Sequence, residues 1–291
     1  AGGVLLVTTK KGKTEKPTIS YTGNFNFNTP ASVPQKVNVL QHIEMMGELY
    51  ANDGISNHFF THLLPYVNTA DIYSKNPEVV KGPFGDTPDL VLGWHDWWKE
   101  MYGTAFDHSH NLSISGGSEK SNYYASIGYL DQGSMFNYGE HNNKKYWGRF
   151  KYEYNLNKYI KLRSNVYVGR KKVTEPYDIN QLAWLTYWTW NCQPTFNPQG
   201  QYYGSGGFGN PIAFAEHTGN RWKTYYSYYT QLGFDITPLK NLTITGDMSL
   251  NYDISDEKYY RKRHQTYHWD GSLNYDVIDY WYSGKTKTES L

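Results

Sequence analysis

Asn241–Asp256 reads NLTITGDMSLNYDISD. Leu242, Ile244, Met248, Leu250, Tyr252 and Ile254 fall on one parity, and Thr243, Thr245, Asp247, Ser249, Asn251 and Asp253 on the other. In an extended chain alternate side chains point to opposite faces, so this stretch is a strand with one apolar and one hydrophilic face. The same rule selects Lys16–Asn28, Tyr146–Leu156 and Ile160–Lys171, and less cleanly Phe106–Gly116, Ser121–Asp131 and Lys223–Thr237. Strands this long exceed the globular mode of about five or six residues. They match the roughly 9–11 residues that cross a bilayer at a tilt. A further strand is expected to begin within Trp281–Leu291.

The connections alternate in length. Long segments (29–105, 132–145, 172–222 and 257–275) alternate with tight turns at Gly117–Lys120, Asn157–Tyr159 and Pro238–Lys240. An antiparallel meander gathers the odd connections at one end and the even ones at the other. Outer-membrane barrels sort their loops in this way, with short turns on one side and long loops on the other, whereas a soluble sandwich has no reason to. The fold class expected is therefore all-β, an antiparallel transmembrane β-barrel represented by about seven to eight strands of a larger one. A spanning sheet must close on itself to satisfy its backbone groups. The remaining strands are expected beyond Leu291, and both ends read as cut from something longer.

Face assignment follows from cost, because a charge on the lipid side at mid-depth is unfavourable by about 2–4 kcal/mol. Arg149, Lys151, Glu153, Lys161, Arg163 and Asp247 share the hydrophilic parity and are read as lumen-facing. On this reading Ile244→Lys carries the mid-membrane penalty and Thr245→Lys is tolerated.

Composition removes other classes. The 28 basic residues nearly balance the 27 acidic ones, so the surface lacks the basic excess that nucleic acid requires. Aromatic residues make up 18% of the chain, against the signature of disorder. The longest purely apolar run, Val4–Val7, is far too short for a spanning helix. The single cysteine, Cys192, cannot make an intrachain disulfide.

Two blocks then carry a family likeness. AGGVLLVTTKKGK (Ala1–Lys13) resembles the end of the plug domain of SusC/RagA-type TonB-dependent outer-membrane transporters, and HNLSISGGSEKSNYYASIGYLDQGSMF (His110–Phe136) with Tyr146–Lys171 resembles their first barrel hairpins. Trp94–Ala105, WHDWWKEMYGTA, resembles the segment that leads into the second strand. The resemblance implies a domain division with residues 1–13 as the end of the plug and 14–291 as the N-terminal part of the barrel. It also implies import of an oligomeric nutrient across the outer membrane of a Gram-negative, Bacteroidetes-like cell, glycans ahead of peptides. The partners implied are a SusD-like lipoprotein over the loops, TonB with its inner-membrane energising complex, and the lipid bilayer. Neither enzymatic activity nor a cofactor is implied. The alternative reading is a soluble or surface β-rich carbohydrate-binding module.

Candidate ligand contacts are aromatic, because sugar rings stack their apolar faces on indole and phenol. Trp94, Trp97 and Trp98 lie near the end of the first long loop, and Trp184, Trp188 and Trp190 open the third. Trp184 and Trp188 are spaced to share one face of a helix. Packing inside a loop core, or an aromatic girdle at the membrane surface, accounts for the same residues. His58/His62 and His264/His268 have a chelating i,i+4 spacing but no third ligand, and are read as loop histidines. Gly204–Gly209 fits GxGxxG without the strand-before and helix-after context that gives the motif its phosphate-binding physics.

Overall fold

Eight strands form one antiparallel sheet in which each pairs with the next in sequence: β1 (Thr18–Asn28), β2 (Ala105–Gly117), β3 (Ser121–Gln132), β4 (Asn142–Asn155), β5 (Ile160–Pro176), β6 (Gly219–Leu239), β7 (Leu242–Arg261) and β8 (Ser283–Ser290). This computed structural model describes residues 16–55, 59–74, 77–80, 90–204, 209–276 and 283–290. Among these residues β1 and β8 are the edges of an open sheet. It is a partial transmembrane-type barrel wall, as the alternation and the loop lengths require. Ala1–Lys13 and His58 lie outside the described residues.

The tight turns use local chemistry. The Asn157 side chain accepts from the backbone N–H of Tyr159 at 2.8 Å and Ile160 at 3.0 Å, an Asx turn between β4 and β5. Between β6 and β7, Asn241 takes the left-handed conformation at φ 71°, which asparagine tolerates better than most residues.

The faces separate as the parity demands. Phe150, Val166, Thr230 and Leu250 lie in one row across four strands, and Tyr154, Leu162 and Phe234 in another. These apolar rows are open to the surroundings: Leu250 is 56% exposed and Phe150 47%. In water a sheet face this wide would be an association surface; against acyl chains it is satisfied. The alternative of a soluble module, whose greasy face would be sealed inside, does not hold.

Strands β5, β6 and β7 run 17, 21 and 20 residues, longer at the loop end than the alternation suggests. The apolar parity gives way there to Arg170 and Lys172 on β5 and Asp256 and Lys258 on β7. Ten residue steps separate Ile160 from Arg170, about 33 Å of strand, or about 25 Å of height at a barrel's tilt. That is the height of a lipid-facing band, so the charged ends stand at and beyond the headgroups, where outward charge costs little. The band also relocates the face test. Ile244 pairs with Ile236 beside the turn, at an interface where the penalty falls to about 0–1 kcal/mol. Leu250 lies near mid-depth.

The buried core of the described chain lies in the loops. Five α-helices form there among the described residues: α1 (Val39–Asn52), α2 (Phe59–Leu63), α3 (Trp97–Met101), α4 (Ile179–Trp188) and α5 (Pro211–His217). Their starts are written locally. Asn38 and Gln41 make a capping box, Asp96 and Asp178 cap α3 and α4, and Asn210 caps α5 with Pro211 in its first turn, where the missing N–H costs nothing. One core gathers Val39, Ile43, Phe60, Leu63, Val67 and Leu92 around α1; the other gathers Trp97, Met101, Leu182, Leu185, Ile212 and Phe214.

Candidate functional site

The six charged residues of the hydrophilic parity share one face. Glu153 stands opposite Arg163, Arg163 opposite Gly233, and Gly233 opposite Asp247. The Arg163 guanidinium lies 3.0 Å from Asp235 and 3.2 Å from Asp247, and Lys161 Nζ is 2.7 Å from Glu153. Gln231 donates to Asp247 at 3.2 Å and Thr245 to Asp235 at 3.0 Å. Near the turns, this surface is a closed ion-pair lattice. Further up, Lys223 reaches Glu175 at 2.8 Å, and Arg221 pairs with Glu257.

Between these two belts the partners change. Arg149 sits over the Tyr167 ring at 5.3 Å and Lys145 over Trp147 at 5.6 Å. Tyr124, Trp147, Arg149, Lys151 and Tyr167 line a cleft of about 420 Å³ on this face. The Trp147 indole lies across Gly128, where a Cβ would stand 2.1 Å from the ring, so only glycine there permits the pose. Sequence reasoning missed Trp147 and Tyr124 as members of this face. Their even spacing from Arg149 and from Asn122 was the available signal.

The loops above form one canopy. Lys36 of the first loop donates to the carbonyls of Thr186 at 3.2 Å and Thr189 at 2.9 Å, at the C-terminal end of α4. Burial pushes its ammonium down to about 8. Asn191 donates to the Val37 carbonyl, and Asn197 of the third loop to that of His268 in the fourth at 3.0 Å. Cys192 is sealed in the first core, where burial pushes its thiol up to about 12.

Glu100 is the junction of three loops. It pairs with His95 beside it in the first, and accepts from Thr195 in the third at 3.0 Å and Tyr138 in the second at 3.3 Å. Burial alone would raise its carboxyl, but the His95 contact and the two hydroxyl donors hold it below its ordinary value. A depressed carboxyl contributes stability above its unfolded pKa and loses it as pH falls through the folded one. The canopy is therefore expected to keep its packing near neutral pH and loosen below the ordinary carboxylate range. Near-UV circular dichroism of the tryptophans between pH 6 and 3 reads this out. Glu100→Gln should flatten the transition and lower canopy stability at neutral pH.

The six candidate tryptophans separate into two kinds. Trp97 is 0% exposed, and its indole N–H donates to the Trp190 carbonyl at 3.0 Å. Trp94 and Trp190 are half-buried against the first core, with Trp190 tilted on Phe60 at 5.1 Å. Trp98 is half-buried and stacks on Tyr102 at 5.3 Å. Packing occupies these four, and Trp97 has no surface left for a ligand. Trp184 and Trp188 lie on α4 as their spacing implies, 46% and 52% exposed, with ring centroids 5.7 Å apart and Tyr187 exposed beside them. Of the six, only this pair presents open aromatic faces. His264 is buried edge-on to Phe214, and an extended strand, Gln265–Tyr267, separates it from His268, so the two do not share a helical face. Asn210 and Pro211 start α5. Most of Gly204–Gly209 lies outside the described residues.

No protein-family profile matches the chain. It is 26% identical over 272 residues to TonB-dependent receptor P26 of Formosa agariphila, covering 88% of this chain and 24% of that protein. It is 27% identical over 136 residues to TonB-dependent receptor SusC of Bacteroides thetaiotaomicron, covering 46% of this chain and 10% of that one. The chain thus spans about a quarter of the first relative's length and less of the other's. Among solved structures, the RagAB peptide importer in its closed-closed state superposes with a TM-score of 0.62 at 21% identity, over 87% of this chain and 30% of that one. The open-open state gives 0.55 at 19% identity, over 87% of this chain and 29% of that one. The likeness to SusC/RagA-type TonB-dependent transporters, read in the sequence most specifically from residues 1–28 and 94–171, extends over most of the fold.

Proposed function

We propose that this chain is the first part of the barrel of a TonB-dependent importer in the outer membrane of a Gram-negative cell. It works beneath a SusD-like lipoprotein and admits oligomeric nutrients, glycans ahead of peptides. The observation that carries this reading is the two-faced sheet, apolar and open on one side and ion-paired on the other, under a folded canopy at one end only. Open edges cannot persist in a bilayer, so further strands complete the wall. Arg149, Lys151, Glu153, Lys161, Arg163 and Asp247 then line a wet passage holding the plug, of which residues 1–13 are the C-terminal end. TonB acts on that plug from the periplasmic side.

The preference for glycans rests on α4. Its sequence INQLAWLTYW carries no charge, so the Trp184–Tyr187–Trp188 surface offers stacking faces and nothing for the charged ends of a peptide. The test is uptake of defined oligosaccharides by cells in which the gene is deleted and then restored. Deletion should abolish growth on the oligomer and spare growth on its monosaccharide. Trp184→Ala with Trp188→Ala should raise the half-saturating concentration about tenfold, from roughly 0.5–1.5 kcal/mol for each aromatic contact. Loss of the co-purifying lipoprotein with unchanged affinity would instead assign the pair to lid docking.

A further inference from the structure

The lipid side of the sheet is not evenly filled. Register places Gly148 in the outward row between Ile127 and Val168, on the floor of a basin of about 640 Å³. Tyr129, Tyr146, Tyr226 and Tyr228 wall it, with the Tyr129 and Tyr146 rings 4.8 Å apart. Exposed Arg170 closes the outer end, its guanidinium 6.0 Å from the Tyr226 ring centre. One rung further out on the same parity, Lys172 stands directly opposite Lys144.

Like charges opposite one another across a ladder are destabilising, and a third cation lies one rung below. Asp131, 3.4 Å from Lys144, offsets part of this charge; Asp256 shares the rung of Lys172 only across the intervening Thr224. The cations stand where the outward face changes from apolar to charged, which is headgroup depth, directly above a slot the width of a missing side chain.

We propose that this basin binds a phosphate-bearing lipid. One acyl chain lies over Gly148 between Ile127 and Val168, and the phosphate is held by Arg170 with Lys172 and Lys144. Guanidinium and ammonium donors suit phosphate oxygens, and charge-assisted bonds of this kind are the strong ones. The proposal rests on the membrane reading above.

The test reconstitutes the membrane-extracted protein in phosphatidylcholine vesicles containing a minor fraction of phosphatidic acid. Flotation reports insertion, and native mass spectrometry reports retained lipid. The expected result is one phosphatidic acid retained in preference to phosphatidylcholine. Arg170→Gln and Lys172→Gln should each reduce that preference about fivefold. Gly148→Leu should lower retention of either lipid without affecting flotation, since a Cβ there meets Val168 Cγ2 at 3.6 Å and the Ser126 carbonyl at 3.9 Å, both ordinary contacts. Retention without headgroup preference, or equal in wild type and variants, overturns the site and leaves the membrane reading standing. A wild-type protein that fails to float overturns both.

Discussion

Trp97→Ala is expected to lower canopy stability by about 3–5 kcal/mol, the range for truncating a buried tryptophan, while leaving the sheet intact. The indole is fully buried among Met101, Leu182, Leu185 and Ile212, and its truncation leaves a cavity these side chains cannot collapse into without moving α3 and α4. The Trp190 carbonyl also loses one of its two donors, keeping the Gln193 N–H at 3.1 Å. Hydrogen exchange should show the damage in 97–101, 182–186 and 211–215, because these segments share one core. Strands β4–β7 should keep their protection, since their ladders owe nothing to that core. Trp97→Phe should recover most of the loss by restoring volume without the hydrogen bond. Simultaneous loss of protection in the sheet would show that canopy and wall are one cooperative unit.

Leu250→Arg is expected to destabilise the membrane-embedded wall by about 2–4 kcal/mol, whereas Ser249→Arg, one residue away, should change it little. Leu250 lies in the row of Phe150, Val166 and Thr230, near the middle of the apolar band. Ser249 lies on the ion-paired face, two positions from Asp247 on the same parity. Denaturant unfolding in lipid vesicles, with heat-modified mobility as a check on folding, separates the two. Ile244→Arg gives the depth control, with a penalty of about 0–1 kcal/mol beside the turn. Equal penalties at 249 and 250 would remove the assignment of faces on which the transport reading stands.

Strand identity was legible because each strand obeys a local rule. Parity alone assigned Leu250 and Asp247 to opposite faces, and even the short eighth strand fell inside the interval expected for it. The loop ends of β5–β7 were not legible. Beyond Arg170 the outward face no longer meets acyl chains, so apolar alternation stops although the hydrogen-bonded ladder continues to Pro176. The candidate tryptophans show a different limit. Trp97 and Trp98 are neighbours in sequence and equally plausible as stacking platforms, yet the first is enclosed and the second half-covered. Nothing local distinguishes them.

The amino-acid sequence by itself determined the two-sided strands, their antiparallel order, the end at which the loops gather and the side on which charge is allowed. Each of these follows from a period of two, turn chemistry, or the cost of charge in hydrocarbon, all of which act within a few residues. Tertiary structure alone decided that the loop helices gather around cores of their own, that Glu100 ties three of the loops together, and that Trp184 and Trp188 keep open faces. Those outcomes depend on which distant segments meet, as Lys36 meets the end of α4, and burial is a property of the meeting rather than of either segment.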